Sequence, residues 1–87
     1  MKTFEDLFAE VQSKAHDDSV ESNTASLIQA GVHSIGKKIV EEAAEVWMAA
    51  EHESKDALAL EISQLIYHLQ VLMVSKGLSI SDIEEKL

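Results

Sequence analysis

Glu42 and Glu45 stand three residues apart, and Glu61 and Gln64 repeat that spacing further along the chain. Residues three apart on an α-helix share a face, so each pair would present two oxygen-bearing side chains in one direction. Magnesium prefers hard oxygen ligands and is usually held by a few carboxylates together with waters and substrate phosphates. Glu42, Glu45, Glu61 and the amide oxygen of Gln64 form a ligand set of that kind. Acidic helices are also common as plain solvated surfaces, where pairs such as Lys38 with Glu42 add only minor stability. The same i, i+3 pair occurring in two segments favours a site over a surface.

Two helices must position these groups. With about 100° per residue and Ile39 at zero, Ile39, Ala43, Val46 and Ala50 fall within about 40° of one another's stripe, with Lys38, Glu42 and Glu45 about 60–120° to one side. With Leu58 at zero, Leu58, Ile62, Leu65, Leu69 and Leu72 cluster likewise, and Glu61, Gln64 and His68 take the same flanking arc of about 60–120°. Packed antiparallel through those apolar stripes, the helices would bring one polar edge against the other.

The remaining elements follow from caps and periodicity. Thr3 and Asp6 resemble a capping box ahead of Phe4, Leu7, Phe8 and Val11, predicting a helix from about Phe4 to Ala15. His16-Asp17-Asp18-Ser19 breaks that pattern and predicts a mobile loop. Ser22-Asn23-Thr24 caps a short helix ending near Gly31, and Ser34 is the expected cap of the long helix reaching about Glu53. Gly36 weakens that helix by up to ~1 kcal/mol relative to Ala, which a tertiary approach or a substrate would explain. Ser54 begins the second long helix, with Asp56 suiting its dipole and Gly77 ending it. A last helix follows, with Ser79 and Asp82 as cap partners and Leu78 against Ile83 as a staple. The short link between the long helices forces them antiparallel, and no strand is predicted.

The fold class expected is therefore all-α: one helical-bundle domain over residues 1–87, with two long antiparallel helices and shorter flanking ones. Eighty-seven residues are few for a self-sufficient core. Val40, Trp47, Ile66 and Met73 lie beyond one face of the long helices, so a homodimer is expected to complete the bundle. The net charge of −9 excludes general affinity for nucleic acid, since the seven basic residues are scattered or paired with acids. With no Cys, zinc ribbons, thiol catalysis and disulfides are excluded. No apolar run approaching the ~20 residues of a membrane span is read, and the acidic start does not resemble a targeting peptide, so a cytoplasmic location is expected.

Other helical chemistries fail on spacing. A ferritin-like centre needs Glu-x-x-His, and no His here has a Glu three residues before it. His52-Glu53 lacks the second His of the zincin pattern, and there is no Gly-rich phosphate loop. His68 is a candidate substrate contact, weighed against a histidine packed beside a core. Tyr67 and Trp47 read as core or interface aromatics. His16, His33 and His52 read as surface residues.

Lys38-Ile39-Val40-Glu41-Glu42-Ala43-Ala44-Glu45, with Glu61-Ile62-Ser63-Gln64-Leu65-Ile66-Tyr67-His68 and Val71-Leu72, resembles the phosphoribosyl-ATP pyrophosphatase family of histidine biosynthesis. That family lies within the MazG-like all-α nucleotide pyrophosphohydrolases, whose motif is Glu-Glu-x-x-Glu followed by Glu-x-x-Asp. Ser22-Asn23-Thr24-Ala25-Ser26-Leu27 and Gly31 resemble the segment ahead of the motif. Gln64 departs from the pattern where the superfamily has Asp, and Asn23 where an aromatic is more usual. The resemblance implies magnesium-dependent hydrolysis of phosphoribosyl-ATP to phosphoribosyl-AMP and pyrophosphate. It implies Glu42, Glu45 and Glu61 as metal ligands, with Gln64 as a neutral fourth. Glu41 and Glu42 are then the candidate catalytic acids, with Glu41 as base, and Lys38, Lys37, Ser22, Thr24 and His68 the candidate substrate contacts. A housekeeping nucleoside triphosphate pyrophosphohydrolase and a non-catalytic acidic helical module are the alternatives.

Overall fold

Thr3 starts the first helix by a reciprocal cap: its Oγ1 accepts the Asp6 N–H at 3.0 Å, and its own N–H donates to Asp6 Oδ2 at 3.1 Å. The computed structural model describes residues 1–17 and 22–87, and these form five helices: α1 (Phe4–Ala15), α2 (Asn23–Ala30), α3 (Val32–His52), α4 (Lys55–Ser75) and α5 (Ile80–Glu84). No strand occurs among the described residues, so the fold is all-α. Asp18 and Ser19 of the expected loop lie outside the described residues.

Caps set most of the boundaries. Ser22 Oγ accepts the Ala25 N–H at 3.0 Å to open α2, and Ser54 Oγ accepts the Ala57 N–H at 3.1 Å to open α4. Gly77, at φ 72°, closes α4: its N–H donates to the Val74 carbonyl at 3.1 Å and the Leu78 N–H to the Met73 carbonyl at 2.8 Å. Those two bonds make a Schellman motif, which favours a residue without Cβ at that position. Ser79 and Asp82 form the capping box of α5.

Two sequence expectations are corrected here. The long helix begins at Val32 rather than after Ser34, because Gly31 (φ 100°) ends α2 and starts α3 in one residue, leaving no room for a side-chain cap. A side chain at Gly31 would strain that turn. Gly36 meets no tertiary approach, since a Cβ built there touches nothing within 4 Å among the described residues.

The core gathers Val11 of α1, Ile35 of α3 and Val71 of α4, with Leu27 and Ile28 of α2 packed against them. Gln70 is fully buried at the same junction, and its Nε2 donates to the Phe4 carbonyl at 3.1 Å, fastening the start of α1 to α4. Glu10 ties Lys2 to Lys14 on the outer face of α1. Hydrogen bonds from these two lysines, Lys14 foremost, hold the Glu10 carboxyl down at about 2.

α4 is long and apolar enough to cross a membrane by length and composition alone, which corrects the reading that no such stretch exists. In this fold it packs on α3, α1 and α2, with His68 and Gln70 buried along it.

Candidate active site

Only Glu53 and Ser54 separate α3 from α4, so the two helices pack antiparallel as a hairpin. The residues that face inward recur at alternating spacings of three and four, as in a knobs-into-holes seam. They are Ile35, Ile39, Glu42, Val46 and Ala49 on α3, and Leu58, Glu61, Leu65, His68, Leu72 and Ser75 on α4, all buried or half-buried. The expected apolar stripes are therefore rotated by about 50° toward the acids. Ala43, Ala50, Ile62 and Leu69, placed in the core by the helical wheel, are exposed. The wheel weighs residue type alone, and two alanines offer little area to bury.

That rotation sets Glu42 and Glu61 inside the seam instead of beside it. Glu42, Glu45 and Glu61 each offer a carboxylate oxygen within 4.8 Å of the others. Glu42 Oε2 and Glu61 Oε2 are buried with no hydrogen-bond partner among the described residues. Burial raises the Glu42 carboxyl above its usual range, helped by the adjacent Glu45, while His68 and Lys38 oppose the rise. Burial likewise raises Glu61, with Glu45, Glu42 and Glu53 adding to it. Three acids converge here, and among the described residues no donor satisfies the buried oxygens of Glu42 and Glu61, an arrangement that suits a hard cation.

His68 shares the seam and is 8% exposed. Its Nδ1 lies 2.8 Å from the Gln64 carbonyl oxygen one turn back. Its ring meets the Tyr67 ring edge-on, with centroids 5.0 Å apart and planes at 82°.

Lys38 lies near enough to act on the Glu42 carboxyl, and the other residues singled out from sequence line grooves or engage neighbours. Gln64 is exposed and lines a groove of about 420 Å³ with Lys2, Phe4, Leu7 and Tyr67. Glu41 is exposed and pairs with Lys38 at 3.5 Å. Lys37, Lys38, Ser34, Leu27 and Glu41 line a smaller groove between α2 and α3. Neighbouring positions on a helix diverge by about 100°, which is why Glu41 leaves the seam that Glu42 enters. The hydroxyl of Ser22 is engaged as the α2 cap. That of Thr24 is 3% exposed and 2.6 Å from the Tyr67 hydroxyl. Sequence reasoning missed this Thr24–Tyr67 link, whose partners are 43 positions apart, and the burial of Gln70.

A family model for phosphoribosyl-ATP pyrophosphohydrolase matches residues 1–87. The chain belongs to the phosphoribosyl-ATP pyrophosphohydrolase family. Two curated relatives, from Streptomyces coelicolor and Streptomyces avermitilis, are both called phosphoribosyl-ATP pyrophosphatase. Each is 64% identical over 83 residues, covering 94% of this chain and 92% of the relative. As a phosphoribosyl-ATP pyrophosphohydrolase family member, the chain is a hydrolase acting on a pyrophosphate bond.

Proposed function

We propose that this chain hydrolyses phosphoribosyl-ATP between its α and β phosphates, giving phosphoribosyl-AMP and pyrophosphate, as the second step of histidine biosynthesis in the cytoplasm. The observation that carries the reading is the convergence of Glu42, Glu45 and Glu61 from two antiparallel helices, in a chain matched over its whole length by the family.

Glu42, Glu45 and Glu61 would hold magnesium, and their unsatisfied buried oxygens fit that role. When bound, the ion supplies charge neutralisation at the phosphate oxygens and a more acidic water. Glu42, placed inside the seam with the other two acids, accepts the proton of the attacking water. Lys38 and Lys37 present cations to the polyphosphate from the α2–α3 groove. Glu41 keeps Lys38 oriented there through their ion pair. Ser22 and Thr24 act on substrate through the shape of α2, their hydroxyls being already engaged.

A homodimer belongs to the same proposal. Val40 is 70% exposed and Trp47 67%, and both lie on the outer side of α3. Met73, assigned to that interface from sequence, is instead buried within the chain, and Ile66 is half-buried against the start of α1.

Pyrophosphate release from phosphoribosyl-ATP, with magnesium and with chelator, tests the reading, with plain ATP and deoxynucleotides run alongside. Release that requires magnesium and prefers phosphoribosyl-ATP is expected. Equal rates on ordinary triphosphates would replace the reading with a housekeeping hydrolase, and no release from any of them would remove it.

A further inference from the structure

The His68 ring is held from two directions. A carbonyl oxygen can only accept, so the 2.8 Å contact to Gln64 requires that Nδ1 carry the proton. In the neutral ring this leaves Nε2 as a bare acceptor. The ring keeps that tautomer only while it stays aimed at the carbonyl, so the arrangement needs a support.

Tyr67 supplies it. Its ring packs edge-on against His68. Its own position is fixed from α2, where the hydroxyl lies 2.6 Å from Thr24 Oγ1 and accepts from Asn23 Nδ2 at 3.3 Å. Thr24 is buried, so this hydroxyl pair cannot be exchanged for water without cost. His68 and Glu42 meanwhile take inward positions on facing helices, in a seam lined with apolar side chains, the cluster acids and Ser75.

We propose that Tyr67 and Thr24 are positioning residues, which hold the His68 ring on the Gln64 carbonyl as its Nδ1–H tautomer, leaving Nε2 as the ring's acceptor in the seam. This rests on the function proposed above only for its effect on turnover. The tautomer itself is a property of the free protein.

Long-range proton–nitrogen correlation spectra of histidine-labelled protein at pH 8 read the tautomer directly, with His68→Gln used to assign the ring. Protonated Nδ1 and bare Nε2 are expected at His68. A protonated Nε2, or the averaged pattern of a freely exchanging ring, overturns the proposal whatever the enzyme does. Tyr67→Phe and Thr24→Val should shift the ring toward that average and lower kcat by about two- to tenfold, the scale of one lost hydroxyl hydrogen bond, with KM little changed. Thr24→Ser restores a hydroxyl and should restore both readouts. A fall in kcat with the His68 pattern unmoved also overturns the proposal, since the tether would then serve the fold alone. If a variant unfolds, as judged by circular dichroism, the wild-type spectrum still decides the tautomer. If the protein shows no turnover, the spectra of Tyr67→Phe and Thr24→Val still decide the tether.

Discussion

Glu42 on α3 and Glu61 on α4 face each other across the hairpin, and each keeps its Oε2 buried without a hydrogen-bond partner. Among the described residues no donor bonds to these two oxygens. A proton shared with Glu45, or a cation, is what can relieve their charge. This one relationship gives the molecule testable dependences on acid, metal and charge.

Acid should stabilise the metal-free protein. Burial and Glu45 raise the folded-state pKa of both Glu42 and Glu61. The folded chain then binds more protons than the unfolded one from the ordinary Glu value of about 4.3 upward. The stabilisation is complete below that value and is lost as pH rises through the raised ones. Glu10, held at about 2, works in the other sense but is lost only as pH falls below its ordinary value toward 2. With chelator present, the melting temperature should climb as pH drops from 7.5 toward 5, and Glu42→Gln should flatten the slope. A melting temperature that falls over that range contradicts the burial of these acids.

Magnesium should stabilise the protein at neutral pH. At ten times its Kd, a ligand bound only by the folded state contributes about 1.4 kcal/mol, or about 6–11 °C in a domain of this size. Differential scanning fluorimetry with a magnesium series checks this. Glu61→Gln should abolish the shift, and a wild-type curve indifferent to magnesium would count against the three acids as its ligands.

Glu41→Gln and Glu42→Gln should part company. Glu42 sits in the seam with a raised pKa, whereas Glu41 is exposed on the Lys38 side. Losing a proton acceptor at the reacting centre costs about 10²–10⁴ in kcat. Glu41→Gln should cost less than tenfold by the scale of a surface ion pair, about 1 kcal/mol or less. Steady-state assays at saturating magnesium decide between them, and the reverse ranking would return the base to Glu41.

Gln64→Asp should tighten magnesium binding by about fivefold, on the order of 1 kcal/mol, if its carboxylate reaches the cluster one turn away. Gln64→Leu should cost far less affinity than Glu61→Gln. Isothermal titration separates these outcomes. Unchanged affinity in Gln64→Asp would leave Gln64 to the α1–α4 groove it lines.

Trp47→Glu, alone or with Val40→Glu, should reduce the mass measured by sedimentation from two chains to one, because both side chains stand exposed, at 67% and 70%. Wild-type protein already sedimenting as a monomer at micromolar concentration would end the dimer proposal.

Local signals in the sequence proved legible. Thr3, Ser22, Ser54 and Ser79 each accept the N–H bond expected of a cap, and the α1 limits agree with the periodicity. Glu42, Glu45 and Glu61 could be grouped because i, i+3 spacing is a property of one helix. What escaped depended on contacts between elements. The seam turned about 50° from the wheel because α1 and α2 draw Gln70, Val71 and Ile35 into the core. Glu41 and Glu42 look equivalent in a motif, yet one helical step separates a surface ion pair from a buried acid. Thr24 and Tyr67 carry no mark of each other in the chain, since only the packing of α2 on α4 brings them together.

The seam has a consequence for how this protein can be improved. Its neighbours along the interface are Ile39, Val46, Leu58 and Leu65, and leucine at positions 42 and 61 would continue the same packing. The hairpin would gain apolar contact across that stretch and lose two of its three clustered acids. Any selection for heat resistance that does not also demand turnover should therefore find these two positions early and return a sturdier, inert protein. Designs that aim to keep the enzyme should leave the seam alone and work on the exposed sites at Gln12, Ser13 and Lys76.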